Sequence, residues 1–148
     1  MLFRSLPPEW AEKIAGFSGG RIRVSTFTHD FLSFLAAADL SISMAGYNTC
    51  MNVMAAGCPA FLWPFSQNRE QRLRAERLAG LGPVRVLTDA DLEPLRLSGL
   101  MVSALDEAKG RDAPRRRLPL DLDGAAACAR WLASWMESRE PAAEGGLS

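Results

Sequence analysis

Apolar residues along this chain fall into short blocks whose spacing switches between two periods. Trp10 to Ala15 reads as a short helix, opened by Pro7 and Pro8 and closed near Gly16. A Gly19-Gly20 turn follows, and Arg21 to Phe27 (RIRVSTF) alternates in the manner of a strand. Asp30 to Ala38 is apolar at helical spacing, with Thr28, His29 and Asp30 as cap candidates. Leu40 to Met44 (LSISM) predicts a strand, Thr49 to Ala56 a helix ended by Gly57 and stopped by Pro59, and Ala60 to Trp63 (AFLW) another strand. Pro64 to Asn68 is a loop, Arg69 to Ala79 (REQRLRAERLA) a charged amphipathic helix closed by Gly80 to Gly82, and Val84 to Leu87 a strand. Asp89 to Leu105 predicts one helix, interrupted or offset by Pro94. Lys109 to Leu120 has no period and reads as a mobile basic loop. Asp123 caps a final helix, Gly124 to Glu137, with Trp131 and Trp135 on one face. Residues 138–148 (SREPAAEGGLS) read as a disordered tail. A single domain over residues 1–137, without internal repeat, follows.

Short apolar strands alternating with helices predict an α/β fold: a Rossmann-like parallel sheet with helices on both faces. The same pattern accounts for an unusual run. From Leu40 to Asn68 the chain carries no charge, yet keeps Gly46, Asn48, Thr49, Asn52, Gln67 and Asn68. A membrane span needs about 20 apolar residues in one helix. Gly46, Gly57, Pro59 and Pro64 cut this run into shorter pieces, so it is expected to be core and not a span.

Composition narrows the function classes. Seventeen basic and seventeen acidic residues among 148 give zero net charge, which offers no electrostatic footprint for nucleic acid. Cys50, Cys58 and Cys128 are widely spaced and read as reduced thiols, and the N-terminus lacks a signal-peptide pattern; a cytoplasmic protein is expected.

The polar exceptions in the uncharged run suggest chemistry. In open parallel sheets, ligands bind beyond the carboxyl ends of strands, where loops enter helices. Ser43 to Thr49 is such a loop: Gly46 lets the backbone approach a ligand, the helix N-terminus offers N–H groups to phosphate, and Asn48 and Thr49 add uncharged donors. Pro64 to Gln71 delivers Gln67, Asn68, Glu70 and Gln71 to the same edge, groups suited to sugar or ribose hydroxyls.

The run ADLSISMAGYNTCMNVMAAGCPAFLWPFSQNREQRLRAERLAGLG resembles the C-terminal, nucleotide-sugar-binding half of GT-B glycosyltransferases. The resemblance is to the family-28 type, which includes the N-acetylglucosamine transferase of peptidoglycan synthesis. It covers residues 24–87 well and residues 120–126 loosely. It implies that Ala45, Gly46, Tyr47, Asn48 and Thr49 meet the donor diphosphate, Asn52 the ribose, Glu70 and Gln71 the donor sugar, and Phe27 and Thr28 the base. Two departures stand out. Ala45 replaces the first glycine of the usual GGYNT, crowding or restricting the turn, and Asn52 replaces an acidic residue. No acidic metal-binding pair is present, so neither metal nor cofactor is expected. The partners implied are a nucleotide diphosphate sugar, with UDP-sugar expected, and an N-terminal acceptor-binding domain or separate subunit. The chain corresponds to the second half of such a fold with its first strand missing. That makes it a fragment or one half of a split transferase, as in the two-chain enzyme of dolichol-linked glycan assembly.

Each signal also has a structural reading. His29 reads as a cap or surface residue, Asn52 equally as a satisfied structural amide, and Glu70 as a helix-dipole partner. Arg69, Arg72, Arg74 and Arg77 read as a solvated face interleaved with Glu70 and Glu76, and Arg115 to Arg117 as a loose basic loop. Trp131 with Trp135 reads as core packing or, equally in a fragment, as a face that meets the missing domain. Rivals to a glycosyltransferase donor domain are a non-catalytic nucleotide-sugar-binding or interaction module, and an epimerase-like enzyme of the same architecture.

Overall fold

A computed structural model describes residues 8–17, 21–25, 27–109 and 123–138. The Gly19-Gly20 turn, the segment from 110 to 122 with Arg115 to Arg117, and the tail from 139 lie outside the described residues. Helix α1 spans Pro8–Phe17 and α2 spans Phe31–Ala37. Then follow β1 (Ser41–Met44), α3 (Tyr47–Ala56), β2 (Ala60–Trp63), α4 (Arg69–Ala79) and β3 (Val84–Val86). A 3-10 turn at Asp89–Leu92, α5 (Pro94–Lys109) and α6 (Gly124–Glu137) complete the order.

The three strands form one parallel sheet in sequence order. Ser41 and Ala60 are in register, as are Ala60 and Val84. Side chains alternate across a strand, so Ser43, Ala60, Leu62 and Val84 share one face. That face packs with Cys50, Val53 and Met54 of α3, Ala75 and Leu78 of α4, and Leu35 of α2. α5 lies over the other face, where Phe61 and Arg85 line a cleft with Leu100, Ser103 and Ala104. The run without charge is therefore β1–α3–β2, and it supplies most of the core.

Local chemistry fixes the boundaries. Gly57 ends α3 at φ 61°, a left-handed position that favours glycine. Its N–H bonds Met54 O and that of Cys58 bonds Val53 O, both at 3.2 Å, satisfying the last carbonyls of the helix. Asn68 Oδ1 accepts from Gln71 N–H at 3.1 Å and caps α4.

Four expectations change. Among the described residues of the stretch from Arg21 to Phe27, the expected strand reduces to a bridge at Val24. α3 starts at Tyr47, not Thr49, because Gly46 already has the extended backbone of an N-cap. Pro94 opens α5, as suits a residue with no N–H to lose, and the residues before it form the 3-10 turn. The Trp131–Trp135 pair stacks at 6.5 Å but stays exposed, and α6 buries no residue among those described, so it is not core packing.

Candidate functional site

Two loops leave the carboxyl edge of the sheet side by side: Ala45–Gly46 after β1, and residues 64–68 after β2. The first is held from both sides. Ala45 N–H donates to Trp63 O at 3.2 Å, and Arg74 Nη1 donates to Ala45 O at 2.9 Å. Ala45 is fully buried within the core, so its methyl group does not crowd the solvent side of the turn. Gly46 has φ −65° and ψ 147°, which any residue can adopt. A Cβ built there would meet nothing within 4 Å. What the glycine supplies is open space above a helix start.

That helix start is uncapped. The first intrahelical bond runs from Cys50 N–H to Gly46 O at 3.0 Å, and the preceding N–H groups of Tyr47, Asn48 and Thr49 have no acceptor among the described residues. Asn48 is exposed and Thr49 half-buried, and neither side chain is bonded within the described residues. Asn52, one turn on, is half-buried and likewise makes no side-chain hydrogen bond there, so it is not a satisfied structural amide. Aligned peptide dipoles place roughly half a positive charge at such a terminus. The arrangement can receive an anion.

On the second loop, Glu70 is exposed at the first turn of α4. Gln71 is half-buried, and its Oε1 accepts from Phe65 N–H at 3.0 Å, bracing the loop and leaving the amide NH2 to act outward. Phe27 and Thr28 belong to the segment before α2, a helix that packs on α3. Phe27 O accepts from Ser25 Oγ at 2.9 Å, and Thr28 Oγ1 accepts from Asp30 N–H at 3.0 Å. His29 stands edge-on to Phe27 at 4.7 Å and is exposed.

Arg74 is the residue that sequence reasoning missed. Arg72 pairs with Glu76 at 3.0 Å in solvent, as a solvated face predicts. Arg74 instead is half-buried, reaches back to the turn and lies 5.5 Å from the Tyr47 ring centre. Burial pushes the Cys50 thiol up, with the nearby Arg74 charge pulling the other way, so the thiol stays protonated. Among the described residues, no group of His, Cys, Asp and Glu side chains is placed to hold a metal ion. An open groove of about 400 Å³ runs along α4 past Glu70, Leu73, Arg74 and Arg77. A second cleft, about 220 Å³, lies at the opposite, amino-terminal edge of the sheet near Pro59, Pro83 and Ser103.

A parallel α/β sheet with an open helix N-terminus at its carboxyl edge is the arrangement in which α/β domains of the nucleotide-binding class receive phosphate. The particular family follows from comparison. The profile of the glycosyltransferase family 28 C-terminal domain matches residues 8–117, and the chain belongs to that family. Two similar curated proteins share the name UDP-N-acetylglucosamine–N-acetylmuramyl-(pentapeptide) pyrophosphoryl-undecaprenol N-acetylglucosamine transferase. The protein of that name from Agrobacterium fabrum is 35% identical over 91 residues, covering 60% of this chain and 24% of the relative. That from Brucella canis is 30% identical over 131 residues, covering 80% and 35%. The chain thus spans between a quarter and about a third of the curated relatives' length. No helix among the described residues is long and apolar enough to cross a membrane.

Proposed function

We propose that this domain binds a nucleotide diphosphate sugar, and that it serves a transferase moving the sugar to an acceptor. The names of the relatives point to a UDP-sugar as donor. The acceptor is held by an N-terminal acceptor-binding domain or a separate subunit, in the cytoplasm. The observation that carries the reading is the uncapped start of α3 above open space at Gly46, in a chain of this family.

In this reading the N–H groups of Tyr47, Asn48 and Thr49 hold the diphosphate, Asn52 faces the ribose, and the backbone at Phe27 and Thr28 meets the base. Glu70 and the Gln71 amide hold the sugar hydroxyls. During transfer the bond between the anomeric carbon and the diphosphate oxygen breaks, and its electron pair stays on the diphosphate. Fixed N–H dipoles at the turn stabilise that growing charge without reorganising. The acceptor oxygen forms the new bond and gives up its proton to a base outside this domain.

Calorimetric titration with UDP, ATP and NAD tests the assignment. Preferential binding of UDP is expected, with no measurable sugar transfer by the domain alone, because acceptor and donor are not brought together. Equal or absent binding of all three nucleotides points instead to a non-catalytic module.

A further inference from the structure

α4 carries four arginines, and three of them behave as surface: Arg69 and Arg77 are exposed, and Arg72 is paired with Glu76. Arg74 does not. It forms no ion pair with any described carboxylate. Its hydrogen bond to Ala45 O uses Nη1, and the remaining N–H groups have no acceptor among the described residues. A guanidinium offers five N–H donors in a rigid fork that matches phosphate oxygens. A half-buried cation without a counter-charge costs free energy, and the cost is relieved where an anion visits.

The position is specific. The guanidinium is anchored to the carbonyl immediately before Gly46 and lies beside Tyr47, the first residue of the uncapped helix. It also lines the open groove along α4, so solvent and ligand reach it. The point charge therefore stands at the turn from which α3 and its dipole start.

We propose that Arg74 is a donor contact that selects for the diphosphate: it pairs with the phosphate oxygens of the nucleotide and holds the turn that receives them. The inference rests on the donor-site reading above and adds to it a charge that the uncharged run from Leu40 to Asn68 cannot supply. The charge is matched to the leaving diphosphate, whose negative charge grows as the sugar departs.

The test uses the 148-residue chain and three ligands that differ only in phosphate number: uridine, UMP and UDP. In Arg74→Gln, UDP binding weakens about tenfold or more, UMP binding by less, and uridine binding is unchanged, as loss of a charge-assisted hydrogen bond predicts. Arg74→Lys keeps the charge but not the fork, so its losses are smaller and follow the same order. That variant carries the test should Arg74→Gln fail to fold. A uniform loss for all three ligands assigns Arg74 to the turn alone and overturns the proposal. Unchanged UDP binding in a folded Arg74→Gln overturns it while leaving the donor site intact. If the unaltered chain binds none of the three ligands, the donor-site reading falls, and this inference with it.

Discussion

Ala45 and Gly46 divide the turn between core and solvent. Ala45 fills space in the core and is tied by hydrogen bonds on both sides, whereas Gly46 leaves its outer surface bare. The backbone at Gly46 is ordinary, so Gly46→Ala is expected to leave the melting temperature nearly unchanged. The added methyl stands where the diphosphate must approach, and UDP binding should fall by about tenfold or more, an energy on the order of 1.4 kcal/mol. Calorimetry beside a melting curve separates the two effects. Asn52 offers the opposite experiment. Its half-buried amide has no protein partner among the described residues, so a carboxylate there leaves nothing broken. Asn52→Glu is expected to tighten UDP binding by about 1 kcal/mol through charge-assisted bonds to the ribose hydroxyls. A large loss of thermal stability that UDP does not restore would place this position in the core instead.

Elements whose ends carry their own chemistry were legible in the sequence. β2 and α4 begin and end where Pro59, Pro64, Asn68 and Gly80 place them, and Gly57 stops α3. Elements that depend on a distant partner were not. RIRVSTF alternates well enough for a strand, but among its described residues the strand pairing is a single bridge at Val24. Arg74 looked solvated because its helix alternates arginine with glutamate, and only the fold shows that its outlet is a carbonyl on another loop. The 3-10 turn before α5 is a further case, because its hydrogen bonds fix a carboxylate that sequence alone leaves ordinary. Asp91 is buried, accepts from Thr88 Oγ1 at 2.6 Å and Thr88 N–H at 2.8 Å, and pairs with Arg96 Nε at 2.8 Å. The Thr88 bonds, then Arg96, hold its carboxyl well below the usual range, at about 2. A carboxyl lowered on folding stabilises the fold above its unfolded value of about 4, and the effect is lost as pH falls through about 2. The unaltered chain should therefore melt above Asp91→Asn at neutral pH. The gap should close between about pH 4 and pH 2; an equal gap at both ends of that window would contradict the account.

At the scale of the whole molecule, the candidate chemistry gathers at the carboxyl edge of one small sheet. α3 brings the open N–H groups, and α4 brings Glu70, Gln71 and Arg74, whose guanidinium bonds the turn at Ala45. The cleft at the amino-terminal edge, near Pro59, Pro83 and Ser103, is the competing place for a ligand. Titrating UDP into labelled protein while following backbone amide signals decides between the two edges. The account predicts shifts concentrated at Gly46, Tyr47, Asn48 and Thr49, extending to Glu70, Gln71 and Arg74, with Ala60, Val84 and Ser103 unmoved. Shifts centred on Ala60, Val84 and Ser103, or none at saturating UDP, would contradict it.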